Sequence, residues 1–475
     1  MKRKLLHDLS ANSLQLIITQ LCALAIFYVL SVSFSKNDFG EINWSLSVLL
    51  ISFTILSFGI DQIVIKKIAE GIDPGLVVSI YTSHVLVSGI LFYTLLLLFH
   101  FIFPGFNVTL LLLLGLGKLL LFFSSPFKQL AIGLERFRIL FYMSVFSAII
   151  KSALLLFFFL YGTITLALVV IIFISGDTIE FLVSLAITKR LLKIPVLVKF
   201  KKTFYVQVIR ESVPQAGVVV FTSAIARFDW IFLGIFATNI AVAEYSFAYK
   251  VFEMASLPLL IVAPVIIPMF TKAFQAFSNR TRKQIEENLV KLIRLELIIS
   301  CLTILVLNIL WVPVINFITR GKYGFSDRYI IFFLSLSIPL LYLNNLFWTI
   351  SFANGKYKEI FKIFLITFLI TISLDIILIP ILQGIGAAVA YMLAILTQFI
   401  FFIKQTAKLV NIKRASMSIF ICPLASLSSG ILATQLPGDT LSTLVIAIVF
   451  FICLLIISKQ IIIKDFFILK RATGF

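Results

Sequence analysis

Charged residues interrupt the long apolar stretches of this sequence, at positions where a charge would be costly to bury. Two pairs, Asp177 with Glu180 and Lys250 with Glu253, are three residues apart and would share one face of a helix. A buried carboxylate can bind or exchange a cation, and a buried ammonium or guanidinium group can bind an anion such as phosphate. The candidates are Lys118, Lys151, Asp177, Glu180, Arg227, Asp229, Lys250 and Glu253.

Arg227 and Asp229 lie near the middle of the stretch FTSAIARFDWIFLGIFAT (221–238). At the centre of a membrane helix each costs about 2.5–3.5 kcal/mol on insertion scales. They are two residues apart, which is about 200° around a helix, so each needs its own partner. The planar fork of an arginine suits phosphate oxygens, and we therefore expect Arg227 to contact an anionic substrate.

Uncharged polar residues form a second set at helical spacing, including Asn12 with Gln15 and Asn344 with Trp348. Trp348 is a candidate substrate contact. We expect a substrate-binding set of Lys118, Lys151, Arg227, Lys250, Trp348, Asn12 and Gln15, and an ion-coupling set of Asp177, Glu180, Asp229 and Glu253. A structural alternative stays open, in which pairs such as Lys151 with Asp177 fix helix packing and the polar stripes join helices by hydrogen bonds.

The elements that must position these residues are membrane helices. Hydrophobic residues make up 61% of the 475-residue chain, charged residues make up 13%, and the mean hydropathy is +1.12. Soluble domains are about half apolar and a quarter charged. A helix needs about 20 apolar residues to cross a bilayer, and the sequence contains about fourteen such stretches. The predicted fold class is an all-α polytopic membrane protein.

The formal net charge of the chain is +19, and its basic residues are distributed unequally between the two sides of the predicted membrane topology. If the N-terminus is cytoplasmic, most of the 40 lysine and arginine residues fall in cytoplasmic segments. This bias favours both termini in the cytoplasm and argues against a nucleic-acid partner. The start MKRKLL before an apolar run also resembles a signal peptide, with SVS at 31–33 as a cleavage site. Cleavage there would leave thirteen spans.

The longest polar stretches predict the domain organisation. The predicted domains are an N-terminal six-helix bundle (1–188), a cytoplasmic linker (189–212), a C-terminal six-helix bundle (213–406) and two further transmembrane helices with a tail (407–475). Weak similarity between corresponding helices of the two bundles supports this division. Repeated halves of this kind are typical of transporters, with a V-shaped central cavity between them as the substrate path.

Several kinds of chemistry are not supported by the sequence. The stretch LGLGK (114–118) lacks the glycine cradle and the following Ser or Thr of a phosphate loop, so no nucleotide site is expected. The four cysteines and three histidines show no metal-ligand spacing. We therefore expect no cofactor and no metal, and no outer loop is long enough to form a catalytic domain.

Three stretches resemble a known family. FDWIFLGIFATNIAVAEYSFAYKVFE (228–253) has an Asp, then Leu-Gly, then Tyr-Ser-x-Ala-Tyr-Lys. This pattern resembles the O-antigen and polysaccharide flippases of the multidrug/oligosaccharidyl-lipid/polysaccharide exporter superfamily. NGKYKEIFK with DIILIPILQGIGAAVAY, and FGEINWSLSVLL with FGIDQIVIKKIAE, are similar to further signatures of that family. The stretch SFSKNDFG departs from the pattern, because a glycine is expected close to Lys36.

The resemblance implies a flippase, and not an enzyme, that moves an undecaprenyl-pyrophosphate-linked oligosaccharide across a bacterial inner membrane. The glycan would be an O-antigen or another surface polysaccharide repeat unit, in some hosts a precursor of lipopolysaccharide. Expected partners are this lipid-linked glycan, the bilayer, a coupling ion (H⁺ or Na⁺) and the polysaccharide polymerase machinery. The protein would work by alternating access and draw on an ion gradient.

Two alternatives stay open. The first is a multidrug cation antiporter of the same superfamily, which would favour a cavity dominated by carboxylates. The second is a membrane polysaccharide polymerase or ligase, which would normally need a large outer loop for glycan chemistry. The lysine and arginine residues at membrane depth favour the flippase over the antiporter.

The charge bias predicts the topology. Reporter fusions at Lys202 and at Gly438 should report opposite sides of the membrane, with Lys202 on the cytoplasmic side. The measurement is a paired assay with one reporter that is active in the cytoplasm and one that is active outside. Reports from the same side would contradict both the helix count and the cytoplasmic termini.

Overall fold

The protein is all-helical in the computed structural model, which describes residues 2–104, 108–196, 200–256, 279–410 and 413–460. Within these ranges, side chains are described except at 2–13, 214–215, 218, 279–288 and 413–416. The helices of the described residues are α1 (Lys2–Ser33), α2 (Lys36–Ser57), α3 (Ile60–Ala69), α4 (Pro74–Ile102), α5 (Thr109–Gly133), α6 (Phe137–Leu160), α7 (Leu166–Arg190), α8 (Lys202–Phe236), α9 (Asn239–Ala255), α10 (Asn279–Thr319), α11 (Arg328–Leu336), α12 (Ile338–Ala353), α13 (Tyr357–Ala407), α14 (Lys413–Gln435) and α15 (Thr440–Ile457).

Twelve helices of the described residues are long and apolar enough to cross a membrane, which confirms the polytopic all-α fold class. One of the twelve, α13, is 51 residues long and has non-helical dihedral angles at Gln383 (φ 51°, ψ −129°), so two helices meet there. Residues 247–271 form one of the apolar stretches that the sequence predicts to be spans, and most of them lie outside the described residues. These two features account for the difference from the predicted number of about fourteen.

Side chains that accept backbone hydrogen bonds mark the starts of several helices. The hydroxyl of Thr165 accepts from Leu168 N at the start of α7, and that of Thr238 accepts from Ala241 N at the start of α9. Asp73 does the same at α4, where proline follows at the first helical position. These caps satisfy amide groups that have no partner within the helix, so a short polar turn is enough to separate two apolar helices.

The chain divides into two compact units, Met1–Gly234 and Ile235–Phe475. In the first unit α5 is central, and it packs against α2, α3, α4, α6 and α7, while α1 packs along α6. A glycine permits the close approach of α5 to α3, because a Cβ at Gly133 would lie 2.9 Å from the Cβ of Ile68. The helices that carry Lys118, Lys151, Asp177 and Glu180 all belong to this unit.

The second unit is organised around α10 and α13. Helix α10 packs against α11, α12, α14 and α15, and α13 packs against α9, α11 and α12. Buried residues of α10, including Ile293, Leu297 and Cys301, form one apolar core with Leu343 and Phe347 of α12. This core covers one side of the membrane-spanning part of α10 with aliphatic and aromatic side chains.

The boundary between the units falls inside α8 because its C-terminal part is fastened to α2. The indole Nε1 of Trp44 donates to the carbonyl of Ile231 at 3.3 Å. A Cβ at Gly234 would lie 2.0 Å from Cδ1 of Trp44, so the glycine admits the ring. The domain boundaries at 188, 212 and 406 stay a prediction.

The first part of α8, before its apolar span at Val219–Phe236, is held by polar contacts to α3 and α4. Lys67 of α3 is buried, and its Nζ lies 2.8 Å from Oε1 of Glu211. The hydroxyl of Tyr205 lies 3.0 Å from Nδ1 of His84 on α4. The hydrogen bonds from Lys67 and then from Gln207 lower the pKa of the Glu211 carboxyl, so the contact favours the ionised form.

The Lys67–Glu211 pair predicts a pH-dependent part of the stability. Because the folded-state pKa of Glu211 is lowered, its contribution is present above the unfolded-state pKa and is lost as the pH falls through the folded-state pKa. Glu211→Gln should lower the free energy of unfolding by about 1 kcal/mol at pH 7, and the loss should shrink toward pH 4. Thermal unfolding in detergent at both pH values measures this.

The matched control is Glu135→Gln, because Glu135 is an exposed carboxylate in the turn between α5 and α6. It should change the melting temperature little at either pH. An equal effect of Glu211→Gln at pH 7 and pH 4 would contradict the ion pair as the source of the stability.

Candidate functional site

Two lysines from different helices converge on one buried carboxylate in the first unit. Nζ of Lys118 (α5) lies 2.7 Å from Oδ2 of Asp177 (α7), and Nζ of Lys151 (α6) lies 2.5 Å from Oδ1. The Asp177 side chain is fully buried, with 0% exposure. Each carboxylate oxygen therefore has its own ammonium partner, and one aspartate joins three helices.

Two glycines allow the helices to approach closely enough for this arrangement. A Cβ at Gly176 would lie 2.2 Å from Cγ of Lys151, so the lysine stem crosses α7 where α7 has no side chain. A Cβ at Gly117 would lie 3.2 Å from the Ile174 Cα. Ser147 of α6 also donates to the Gly176 carbonyl at 2.8 Å, which fixes α6 against α7.

A second ion pair lies on the same face of α7, where Glu180 contacts Nζ of Lys128 from α5. The side chains of Lys118 and Lys128 are each 20% exposed, whereas that of Glu180 is 8% exposed. Lys128 was not among the expected site residues, because its position near a helix end suggests a cytoplasmic charge. The sequence shows only that Lys128 lies in the same apolar stretch as Lys118, and the structure shows that this helix packs against α7.

The cluster as a whole has three ammonium groups for two carboxylates. The lysines form its more accessible side, and the carboxylates are almost completely enclosed. Such an arrangement leaves an excess of positive charge on the accessible side. An anion that reaches the cluster would meet lysines first.

A cavity of about 500 Å³ opens beside this cluster within the first unit. Lys118 and Lys128 line it, together with Asp61, Tyr81 and Ser57. Leucine and phenylalanine side chains supply the rest of the wall, and Nζ of Lys118 lies 5.4 Å from the ring centroid of Phe173. The two lysine ammonium groups outnumber the one carboxylate of the wall, Asp61, and with the hydroxyl groups they can hold the anionic head of an amphipathic molecule.

The Arg227 and Asp229 side chains on α8 have different surroundings, as their spacing predicts. Asp229 is buried at 1% exposure, and one carboxylate oxygen accepts a hydrogen bond from Trp230 N at 2.8 Å. Arg227 is half-buried, and its guanidinium lies 4.5 Å from the ring centroid of Trp230. The two side chains belong to the first unit.

Two further expected residues, Lys250 and Glu253, form an ion pair in the second unit. Nζ of Lys250 lies 2.8 Å from Oε2 of Glu253, and the side chains are 15% and 35% exposed. The pair spans one turn of α9, as the three-residue spacing predicts.

The remaining expected residues do not join the lysine cluster. Trp348 stacks on Phe352 with ring centroids 5.2 Å apart and packs against the apolar core of the second unit. Gln15 is half-buried on α1, and its main-chain carbonyl accepts a hydrogen bond from the Thr19 hydroxyl at 2.8 Å. The side chain of Asn12 lies outside the described residues. The structure therefore brings together Lys118, Lys151, Asp177 and Glu180, and it adds Lys128.

Solved transporter structures share this fold. The lipid II flippase MurJ in an inward closed conformation aligns with a TM-score of 0.72 at 15% identity, over 94% of this chain and 99% of that chain. A multidrug resistance MATE family transporter of the MOP superfamily, inward-facing, aligns with a TM-score of 0.63 at 14% identity, over 84% and 98%. A MOP superfamily transporter from Pyrococcus furiosus aligns with a TM-score of 0.57 at 13% identity, over 86% and 96%.

The architecture is therefore that of the MurJ and MATE transporters. Residues 5–274 match the family described as polysaccharide biosynthesis protein. The match covers more than half of the chain, and the chain belongs to that family. No curated protein sequence matches it.

The shared carboxylate predicts strong coupling between Asp177 and its lysines. Asp177→Asn leaves two buried ammonium groups without a carboxylate and should destabilise the protein by about 3–5 kcal/mol. The double variant Lys151→Met/Asp177→Asn leaves only the more exposed Lys118 and should recover part of that loss. Thermal unfolding in detergent of the wild type and the single and double variants gives the coupling energy.

Glu253→Gln is the control, because it removes a carboxylate from a more exposed ion pair and should cost much less. Additive losses in Lys151→Met/Asp177→Asn would mean that the two residues do not stabilise each other.

Proposed function

We propose that this protein is a flippase that translocates an undecaprenyl-pyrophosphate-linked oligosaccharide from the cytoplasmic to the outer leaflet by alternating access. The glycan would be an O-antigen unit or another surface polysaccharide repeat unit. The observation that carries the proposal is the pair of lysines, Lys118 and Lys128, on the wall of a cavity in a member of the polysaccharide biosynthesis family. The MurJ-like fold supports it, since MurJ is a lipid II flippase.

The chemistry of such a substrate fits the cavity. Its pyrophosphate is anionic and its glycan is polar, so both need a polar path, while the lipid tail can stay in the bilayer. The lysine ammonium groups would bind the phosphate oxygens, and the hydroxyl groups of the wall would bind the sugar. Arg227, Lys250, Lys151, Trp348, Asn12 and Gln15 are proposed as further substrate contacts.

Coupling to an ion gradient follows from competition for one lysine. A phosphate that binds Lys118 competes with Asp177, which then keeps Lys151 as its partner. A carboxylate that loses the ammonium group of a lysine as its partner gains affinity for another cation, such as H⁺ or Na⁺. We propose Asp177 and Glu180 as coupling residues on this basis, and Asp229 and Glu253 as further candidates.

The proposed location is the bacterial inner membrane, with both termini in the cytoplasm, and polysaccharide polymerase machinery is the proposed partner. A second candidate function is multidrug cation export, which the MATE-like fold favours. The excess of ammonium groups in the described lysine cluster favours an anionic substrate over a cationic drug.

Complementation of a deletion strain tests the proposed function. In the deletion strain, lipid-linked repeat units should accumulate on the cytoplasmic face of the membrane, and surface polysaccharide should be absent. Lys118→Gln and Arg227→Ala should each reduce surface display at least tenfold, because a cation that binds phosphate is lost. Lys118→Arg and Arg227→Lys keep the charge and should retain part of the activity.

Display is normalised to the amount of protein in the membrane, which separates loss of transport from loss of folding. Lys189→Gln is the control, because Lys189 is exposed at the end of α7 and outside the cluster. Normal display by Lys118→Gln and Arg227→Ala at normal abundance would reject the anion-binding role. Export of cationic drugs without an effect on lipid-linked repeat units would favour the second candidate.

A further inference from the structure

A carboxyl group is buried in the second unit, on a helix that carries none of the expected site residues. Glu296 lies on α10, seven residues after the start of the apolar span Leu289–Thr319, which is about 10 Å along the helix. The residue is 6% exposed, and its Oε2 has no hydrogen-bond partner. Its helix neighbours Ile293 and Leu297 belong to the apolar core.

No cation compensates this carboxyl group within the part of the chain that the structure describes. Lys291 and Arg294 are on the same helix, but they are five and two residues away. These separations place them about 140° and 160° from Glu296 around the helix axis. Glu296 therefore differs from Asp177 and Glu180, whose oxygens contact lysines.

The helices packed against α10 bring one titratable group near Glu296. This group is Tyr342 of α12, which is buried, lies within electrostatic reach of Glu296 and has a hydroxyl without a hydrogen-bond partner. Among the described side chains of the other packed helices, Cys422 of α14 interacts with Arg294 and Cys301, Cys453 of α15 is exposed, and Arg328 begins α11 at the opposite end of the span.

The physical choice at Glu296 is between a proton and a metal cation. A lone carboxylate in an apolar interior costs several kcal/mol, so the group must be neutralised. A hard cation such as Na⁺ would need several oxygen ligands, whereas the helix neighbours Ile293 and Leu297 are aliphatic and Tyr342 supplies one hydroxyl group. A proton needs no such shell and makes the carboxyl group neutral.

We propose that Glu296 is a proton-binding site of the second unit and that the Tyr342 hydroxyl assists proton exchange as a hydrogen-bond donor. Hydronium gives one proton to a carboxylate oxygen of Glu296 and leaves as water, and the reverse step restores the carboxylate. The Tyr342 hydroxyl donates a hydrogen bond to the ionised form and stabilises it during exchange. This proposal does not depend on the identity of the transported molecule.

Infrared difference spectroscopy of the full-length protein in lipid vesicles tests the site. Spectra recorded between pH 5 and pH 9 should contain the carbonyl band of a protonated carboxylic acid, and that band should be lost in Glu296→Gln. Tyr342→Phe should shift the band, because the carboxyl group loses a polar hydroxyl within its electrostatic reach. Glu359→Gln is the control, because Glu359 is a partly exposed carboxylate in the first turn of α13, and it should leave the band unchanged.

Two measurements keep the test independent of how well the variants fold. Carbon-13 labelling of glutamate in the wild-type protein should shift the band, and Glu296→Asp should retain a carboxylic acid band. A band that persists in Glu296→Gln, or that does not respond to glutamate labelling, would overturn the proposal. A band that NaCl removes at constant pH would overturn the proton as the ligand.

Discussion

The cost of burying a charge is the constraint on which the first unit depends. Asp177 is completely buried, and it is tolerable there because Lys118 and Lys151 each bind one of its oxygens. Since the three residues are on α5, α7 and α6, the same contacts that neutralise the carboxylate also hold three helices together. Any ion that competes for one lysine therefore acts directly on helix packing, and this is the property that a transporter needs.

Close helix packing is the condition for these ion pairs. The stem of Lys151 crosses α7 at Gly176, where even one methyl group would overlap it. The lysine methylene groups thus pack against the helix backbone, which offsets part of the cost of burying the side chain. The Ser147 hydrogen bond to the Gly176 carbonyl holds the same crossing. Gly176, Lys151 and Ser147 together stabilise this helix crossing.

Helices could be predicted from this sequence more easily than the partners of its charges. Hydropathy depends on about 20 consecutive residues, which the sequence contains, and the fourteen predicted spans count the two helices that meet at Gln383 separately. The partners Lys118 and Asp177 are 59 residues apart, and Lys128 and Glu180 are 52 apart. Helix packing decides which of these distant residues form pairs. From the sequence alone, Lys128 is therefore expected to be a cytoplasmic charge.

The lysine cluster of the first unit and Glu296 of the second unit are two different ways of burying a carboxylate, and the difference suits different ligands. In the first unit Asp177 and Glu180 have fixed lysine partners, so an anion can bind by taking a lysine from a carboxylate. In the second unit Glu296 has an apolar surrounding and no cation among the described residues, so a proton is the ligand that costs least there. Binding of an anion at the lysine cluster and binding of a proton at Glu296 would each have its own electrostatic cost. Transport driven by a gradient requires that the two binding events change the same conformational equilibrium, and the helices that carry these carboxylates are the elements through which each event would act.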